Sequence, residues 1–394
     1  MNEARERLKQ AGWLARPETQ QLLALLDGEQ RRTRVVGGAV RDTLLGQGQE
    51  LADLDFATDL MPGEVVARAE RAGVAVYPTG LAHGTVTLKL GTLVAEVTTL
   101  REDVETDGRH AVVRFGQDWR EDAARRDFTM NALYAELDGT LFDPLGGLGD
   151  CLERRVRFIG DASRRIGEDR LRVYRFFRFS ASHGEERLDA EGLAACEAAA
   201  GDLGRLAAER VGAEMRRMLA LPRVARTLKA MAGIGLPVPV EALELLQTYE
   251  RRARRADYGS RLALLFASGD AEALRQRWRL SNDDVQLAED VLAAAQLIGA
   301  FRINEAAYRH PAVLTGAVEV AAVLSGWSEA GREAVLEQLS ATNVPRFPLT
   351  GGDLIVAGQK PGPELGHMLR RLEAEWIDSG FTLDREALLH SLDR

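Results

Sequence analysis

The chain has 394 residues, a mass of 43.2 kDa and a formal net charge of −9. Since a domain usually has roughly 100–200 residues, this length predicts two to four domains. Hydrophobic residues make up 45% and charged residues 28% of it, which excludes a disordered or fibrous protein. No apolar run approaches the ~18 residues of a membrane span, and the charged first residues do not resemble a signal peptide. Two cysteines, Cys151 and Cys196, exclude a disulfide framework. We therefore expect a cytoplasmic protein.

The charge is unevenly distributed along the chain. The segment from Glu153 to Arg178 holds nine Arg against four acids, and the segment from Arg205 to Lys229 holds seven basic residues against two acids. A local positive field attracts a polyanion even when the net charge is negative. The alternative is that these runs are the solvated faces of helices.

Up to about residue 145 the pattern mixes strands with helices. β-branched or alternating runs predict strands over 33–36, 51–58, 74–77, 85–90 and 93–99, and helical patterns cover 39–45 and 63–72. The runs 133–137 and 140–142 flank Asp138-Gly139, which is a strong hairpin signal.

After Pro144 the sequence is dominated by Ala, Leu, Arg and Glu, which favour helices by propensity and period. We expect an α+β head followed by an all-α remainder, with divisions near Leu221-Pro222 and His310-Pro311.

Two features of the head indicate a site for a nucleotide. Gly37 and Gly38 stand between a predicted strand and a predicted helix, where backbone N–H groups can approach an anion and Arg41 can add a positive charge. Asp53 and Asp55 alternate along a strand, so both carboxylates point to one side. A divalent metal relieves their repulsion, and hard oxygen ligands suit Mg²⁺. A plain strand–helix turn and a solvated strand end are the structural alternatives.

Two further features lie downstream. Arg126 and Asp127 offer a donor and an acceptor suited to a phosphate or ribose, or form a structural ion pair. On a helix, Asp169 and Arg172 would be i, i+3 neighbours. Cytosine and adenine both present an amino group beside a ring nitrogen. A carboxylate can accept a hydrogen bond from the amino group, and an Arg can donate one to the ring nitrogen, whereas uracil and guanine present a carbonyl and an N–H there. The alternative is a surface salt bridge.

The order and spacing of these motifs resemble those of one enzyme family. The segments Gly37–Asp42, Asp53–Asp55, Arg125–Ala132 and Glu168–Arg172 are similar to the motifs of class II tRNA nucleotidyltransferases, the CCA-adding enzymes of the polymerase-beta-type superfamily. The likeness is strong over residues 30–180. Leu349–Leu354 and Pro361–Pro363 also resemble the family's tail.

The resemblance implies a fold and a set of site residues. It implies an α+β nucleotidyltransferase head with a small mixed sheet and helices (1–145), then an all-α neck that reads the base (146–221), a body (222–310) and a tail (311–394), with the tRNA acceptor arm along the basic middle. It implies Mg²⁺ as cofactor and tRNA, CTP and ATP as partners. The implied site residues are Asp53 and Asp55 for the metal, Glu96 as a third catalytic carboxylate, and Gly37, Gly38, Arg41, Arg126, Asp127, Asp169, Arg172, Arg175 and Arg178 for the nucleotide.

Some sequence features depart from the family pattern. The stretch from Glu102 to Glu121 corresponds to the family's flexible loop, is slightly short, and has Ala111 where the family has Pro. Loop shortening accompanies relatives that add only part of the CCA end, so addition of CC alone or A alone stays open. A poly(A) polymerase is the nearest rival, although the basic tail of those enzymes is missing. A non-catalytic RNA-binding protein and a small-molecule nucleotidyltransferase are more distant alternatives.

Overall fold

A seven-stranded sheet forms the centre of the N-terminal part in the computed structural model, which describes residues 1–47, 53–107, 110–203 and 206–393. The strands are β1 (Thr33–Val36), β2 (Asp53–Thr58), β3 (Ala75–Gly80), β4 (Thr85–Leu90), β5 (Leu93–Thr99), β6 (Arg101–Asp107), β7 (His110–Phe115), β8 (Tyr134–Ala135) and β9 (Leu141–Phe142). Their order in the large sheet is β3-β4-β5-β2-β1-β8-β9, while β6 and β7 form a separate pair. β2 and β5 run parallel, and the other neighbours are antiparallel.

The other main elements of the described chain are helices. Those that begin before residue 214 are α1 (Asn2–Lys9), α2 (Gly12–Ala15), α3 (Pro17–Leu25), α4 (Gly38–Leu44), α5 (Pro62–Arg71), α6 (Trp119–Ala124), α7 (Leu148–Leu152), α8 (Ala162–Glu168), α9 (Leu171–Ser182), α10 (Ala190–Ala199) and α11 (Ala208–Leu219). The later ones are α12 (Ala225–Gly233), α13 (Leu243–Arg252), α14 (Tyr258–Ser268), α15 (Ala271–Trp278), α16 (Asn282–Gly299), α17 (Ile303–Arg309), α18 (Leu314–Leu324), α19 (Glu329–Ala341), α20 (Gly351–Val356), α21 (Pro363–Asp378) and α22 (Arg385–His390).

Many of these helices begin where a side chain can cap free backbone N–H groups. Asp161 accepts a hydrogen bond from the N–H of Arg164 at the start of α8, and Asp189 accepts one from Gly192 at the start of α10. Thr350 and Asp353 form a reciprocal capping box at α20. Such caps stabilise a helix by about 1 kcal/mol each, and their residue types are the ones that a sequence reveals.

The register of β2 fixes the faces of the sheet. Leu54 and Phe56 are buried, whereas Asp53 and Asp55 are exposed, because side chains alternate along a strand. Asp55 lies opposite Val36 of β1 and beside Glu96 of the parallel strand β5. The sheet therefore carries its acids on one face, next to the end of β1.

An aromatic cluster joins the segment after α6 to helix α9. The ring of Phe128 lies 5.0 Å from that of Phe158 and 5.3 Å from that of Phe179, and Phe158 stacks on Phe176 at 5.5 Å. Phe128 and Phe158 also pair through an isolated β-bridge. This packing holds the residues just before Phe128 against α9.

The chain divides into two compact units, one of residues 1–214 with 233–236 and one of residues 215–232 with 237–394. The second unit is helical and contains a fully buried Arg261, which pairs with Glu250 at 2.8 Å and donates to the carbonyl oxygens of Leu219 and Pro222. Glu250 accepts in addition from the N–H groups of Val224 and Ala225. A buried charge is tolerated only with such complete pairing.

The predicted fold class is confirmed, because an α+β part is followed by helices. The predicted strand over 51–58 begins at Asp53, and its first two residues lie outside the described part of the chain. The stretch from Glu102 to Glu121, interpreted as a loop, contains the paired strands β6 and β7 and the start of α6; the side chain of Ala111 lies outside the described residues. Nowhere in the described ranges is a helix long and apolar enough to cross a membrane.

Candidate active site

The turn between β1 and α4 requires glycine at one position. Gly37 has a φ of +78°, a conformation that glycine adopts without strain. A Cβ atom there would meet only Asp55 Oδ2, at 3.6 Å, so the backbone angle, not crowding, selects glycine. The turn places Gly37 and Gly38 beside the end of β2.

Asp53 and Asp55 occupy the exposed face of β2, as their spacing predicted. Partial removal from solvent and the neighbouring charges of Glu96 and Asp53 raise the pKa of Asp55, and Arg126 opposes that rise. In the described part of the chain, no group of three or more His, Cys, Asp or Glu side chains is arranged to hold a metal. Glu96, the predicted third carboxylate, lies beside Asp55 on the neighbouring strand and adds negative charge there.

Arg41 is buried and held from two sides. Its Nε and Nη2 donate to the two carboxylate oxygens of Asp42 at 2.8 and 3.1 Å, and its Nη1 donates to Asn131 Oδ1 at 2.7 Å. Its guanidinium carbon also lies 5.3 Å from the ring centroid of Phe179. Arg41 is thus fixed before any ligand binds.

Arg126 is oriented by Asp122, a buried residue of α6. Arg126 Nη2 and the Tyr134 hydroxyl both donate to Asp122 Oδ2, at 3.4 and 3.0 Å, and Arg126 Nε donates to the Tyr134 oxygen at 3.2 Å. Burial alone would raise the pKa of Asp122, but Arg126 and Arg125 outweigh it and keep that pKa below its usual value. Asp122 is therefore a carboxylate that positions the adjacent arginines.

Asp127 is a buried acceptor with a full set of donors. It accepts from the N–H of Phe128 at 2.8 Å, from Asn131 Nδ2 at 3.0 Å and from Arg175 Nε and Nη2 at 2.8 and 2.5 Å. Burial alone would raise its pKa, but Arg175 and these hydrogen bonds hold the pKa of Asp127 below its usual value. The pair joins the loop after α6 to helix α9.

Arg178 lies one turn further along α9. Its Nε donates to the buried Glu214 at 2.5 Å, and its guanidinium carbon lies 4.3 Å from the ring centroid of Phe179. Glu214 also lies 3.7 Å from Arg175. Phe179 and Glu214 therefore organise both arginines.

The predicted helical pairing of Asp169 with Arg172 is wrong. Asp169 follows the end of α8 and has an extended backbone, with φ −148° and ψ 106°, so the two residues do not share one helix. Asp169 instead accepts from the N–H of Leu171 at 3.1 Å and from Arg210 Nη2 at 2.7 Å. The main-chain N–H of Arg172 donates to the carbonyl oxygen of Asp169 at 3.0 Å, but the two side chains have separate partners and do not form the predicted surface salt bridge.

Arg172 is held by main-chain and side-chain acceptors. Its Nη1 donates to Glu168 Oε2 and to the carbonyl of Arg165, both at 2.7 Å, and its Nη2 donates to the carbonyl of Arg125 at 3.3 Å. Arg165, which is buried, donates to the carbonyls of Arg125 and Arg126 and to Glu168. These bonds join α8 and α9 to the loop that carries Arg126.

One cleft of about 420 Å³ brings most of the predicted residues together. The predicted residues that line it are Gly37, Gly38, Arg41, Asp55, Arg126, Asp127, Asp169, Arg172 and Arg175. Asn131, Leu171, Phe179 and Arg210 also line it and were not predicted as site residues. Asp53, Glu96 and Arg178 are not among its lining residues: Asp53 and Glu96 lie beside Asp55 in the sheet, and Arg178 lies next to Phe179.

Some residues that organise the site were not predicted, and they differ in whether a local sequence pattern indicates their role. Asp122 stands three and four positions before two arginines, a helical spacing that could have indicated its role. Arg210 and Glu214 lie far along the chain from their partners Asp169 and Arg178, so no local pattern reveals them.

Comparisons with known proteins identify the family of this chain. The family described as "Poly A polymerase head domain" matches residues 33–157. The chain is 34% identical over 390 residues to the CCA tRNA nucleotidyltransferase 1, mitochondrial, of Danio rerio, covering 95% of this chain and 90% of that protein. It is 32% identical over 371 residues to the CCA-adding enzyme of Levilactobacillus brevis, covering 90% and 91%.

A solved structure matches the fold along nearly the whole chain. The crystal structure of the Bacillus stearothermophilus CCA-adding enzyme in complex with CTP superposes with a TM-score of 0.79 at 27% identity, covering 96% of this chain and 98% of that one. The sequence motifs, the cleft and these relatives agree, and the chain belongs to the CCA-adding enzyme family of tRNA nucleotidyltransferases.

Proposed function

We propose that this chain adds C and A residues from CTP and ATP to the 3′ end of tRNA without a template. The 3′-hydroxyl of the tRNA attacks the α-phosphorus of the nucleotide, and pyrophosphate leaves. The observation that carries the proposal is the single cleft, which holds a glycine turn and Arg41 together with Asp169 and Arg172. The glycine turn and Arg41 suit a triphosphate, and Asp169 and Arg172 suit the edge of a base.

Base selection rests on Asp169 and Arg172. An Asp169 oxygen accepts from the amino group of C or A, and an N–H of Arg172 donates to the adjacent ring nitrogen. Within the described ranges, the Arg172 guanidinium makes three hydrogen bonds, which leaves two of its five N–H groups for a base. U and G present a carbonyl and an N–H at those positions, so both contacts fail.

Asp53 and Asp55 fit a divalent metal, which we propose is Mg²⁺. Among the described residues, none donates a hydrogen bond to either carboxylate or forms an ion pair with it. Burial and the nearby charges of Glu96 and Asp53 raise the pKa of Asp55, and a cation would neutralise that negative charge. Carboxylate oxygens are the ligands that Mg²⁺ prefers, with substrate phosphates completing its shell. When bound, the metal would lower the pKa of the attacking hydroxyl and neutralise phosphate charge.

The remaining residues position the nucleotide. Arg41, held by Asp42 and Asn131, places its positive charge beside the glycine turn, and Arg126 places a second one near Asp55. Such fixed charges stabilise the charge that develops on transferring phosphate without reorganising. Arg175 and Asp127 tie the two walls of the cleft together, so the distance between phosphate and base subsites is kept.

We also propose the division into head (1–145), neck (146–221), body (222–310) and tail (311–394), with tRNA bound along the basic middle. Within this basic segment we propose Arg216 and Arg217 together as residues that contact tRNA phosphates, and Arg216 also forms an ion pair with the buried Asp284. A cytoplasmic location stays a prediction, and the Danio rerio relative is named as mitochondrial.

In the test, the protein is incubated with tRNAs that end before the CCA tail, after one C and after CC, and with one NTP at a time. The proposal expects CMP on the first two and AMP on the third, and then no further addition. Addition of CC alone or A alone would identify a partial-specificity enzyme. Long A tails on unstructured RNA would identify a poly(A) polymerase, the rival that the matched head family also includes.

A further inference from the structure

A histidine at the end of α9 contacts the network that holds Arg41. His183 Nε2 lies 3.2 Å from Asp42 Oδ1, its Nδ1 lies 2.6 Å from Ser182 Oγ, and its ring stacks on Phe179 at 5.4 Å. The His183 side chain is only 12% exposed. None of the family motifs that identify the site includes this residue.

The protonation state of the His183–Asp42 pair follows from its surroundings. Burial lowers the pKa of His183, Asp42 opposes that effect, and the nearby charges of Arg41 and Arg178 lower the pKa further. His183 and Arg41 keep the pKa of Asp42 below its usual value despite burial. At neutral pH the contact therefore joins a neutral imidazole to a carboxylate. Because a carboxylate only accepts, Nε2 carries the proton and Nδ1 accepts from the Ser182 hydroxyl.

We infer that His183 is a positioning residue that holds Asp42 in the orientation that grips Arg41. This inference rests on the proposed function, in which Arg41 binds the nucleotide phosphates.

The geometry explains why Asp42 needs a second donor. Asp42 Oδ1 accepts from both Arg41 Nε and His183 Nε2, while Oδ2 accepts from Arg41 Nη2. The Nε2–H bond fixes the plane of the carboxylate, and that plane fixes the plane of the guanidinium. In this orientation Arg41 Nη1 reaches Asn131, whose Nδ2 donates to Asp127.

A continuous chain of hydrogen bonds therefore runs from His183 through Asp42, Arg41 and Asn131 to Asp127. Arg41, Asn131 and Asp127 line the cleft, whereas Asp42 and His183 do not. Through hydrogen bonds, His183 thus reaches the nucleotide site by way of Asp42 and Arg41.

The test compares His183→Ala with His183→Gln in the full-length protein. The amide nitrogen of Gln can replace the Nε2–H donor, whereas Ala removes it. We expect His183→Ala to raise the KM for CTP and for ATP by similar factors of roughly 10 to 150, as for one lost hydrogen bond to a charged group. The kcat and the KM for tRNA should change little, and His183→Gln should recover most of the nucleotide affinity.

A second histidine supplies a matched control. His310 Nδ1 lies 3.3 Å from Asp290 Oδ1, and its side chain is 18% exposed. His310→Ala removes a similar contact from the second unit, so it should leave the KM for both nucleotides unchanged. Thermal unfolding of each variant verifies that the assayed protein is folded.

The outcomes separate this inference from the proposed function. If the wild-type protein adds neither CMP nor AMP to tRNA, the proposed function fails. If the wild type is active and folded His183→Ala keeps its nucleotide KM, the positioning role is refuted. If Ala and Gln raise KM equally, stacking on Phe179 and not the hydrogen bond is what matters, and the inference is also overturned.

Discussion

Replacement of Arg172 by alanine should relax base selection more than it slows transfer. The guanidinium is the proposed donor to the ring nitrogen of C and A, so its loss removes the contact that U and G cannot make. Each unmade hydrogen bond in a buried site costs about 1–3 kcal/mol, which is roughly 5- to 150-fold in discrimination. We expect UTP and GTP incorporation by the variant to rise relative to CTP and ATP by a factor in that range.

The structure also gives the cost of this substitution to stability. The Arg172 side chain is 13% exposed and donates to Glu168 and to the carbonyls of Arg165 and Arg125. Loss of these bonds should lower the free energy of unfolding by about 2–4 kcal/mol. Arg170→Ala is a suitable control, because Arg170 pairs with the exposed Asp202 and does not line the cleft.

The assay measures single-nucleotide incorporation of all four NTPs on tRNAs ending before the tail and after CC, at a temperature where the variant is folded by circular dichroism. Arg170→Ala should keep the wild-type preference. Unchanged preference for C or A in folded Arg172→Ala would refute the base-reading role.

Three other expected results follow from the geometry. Asp53→Ala or Asp55→Ala should abolish transfer while tRNA binding, measured by gel shift, survives; near wild-type incorporation without both acids would refute the metal assignment. The affinity for tRNA should fall with rising salt as counterions are released, and replacement of both Arg216 and Arg217 by Gln should weaken tRNA binding more than CTP binding, whereas a flat salt dependence would contradict the RNA surface. Asp127→Asn should destabilise the protein by about 1.5–3 kcal/mol at pH 7. Arg175 lowers the pKa of Asp127 in the folded protein. The stabilisation that the Asp127 carboxylate provides is therefore fully present above the unfolded pKa of about 3.9 and is lost as pH falls through the folded pKa. The difference in the free energy of unfolding between wild type and Asp127→Asn, measured with denaturant, should be smaller at pH 3 than at pH 7, and an equal difference at both pH values would contradict this prediction.

Local sequence patterns were enough to predict the strand and the turn that carry the site residues. The alternation of Asp53 and Asp55 with buried Leu54 and Phe56 predicted both the strand and its exposed face. The two glycines predicted the turn between strand and helix, and the positive φ of Gly37 explains why glycine is needed there.

Contacts between distant parts of the chain were not predictable in the same way. Asp169 pairs with Arg210 and not with Arg172, because α8 ends at Glu168 and α9 begins at Leu171. The break falls after Gly167, a poor helix former, yet an uninterrupted helix fits the local pattern equally well. Phe179 is similar: a buried aromatic on a helix usually belongs to a core, and only the fold places several cationic side chains around its ring.

The most direct test of the account is a pair of crystal structures of this protein, one with CTP and one with ATP. We expect both bases to occupy the same position, with the amino group on the Asp169 carboxylate and the ring nitrogen on the Arg172 guanidinium, and with the phosphates against Gly38 and Arg41. A nucleotide bound outside this cleft, or a base edge that contacts neither Asp169 nor Arg172, would contradict it.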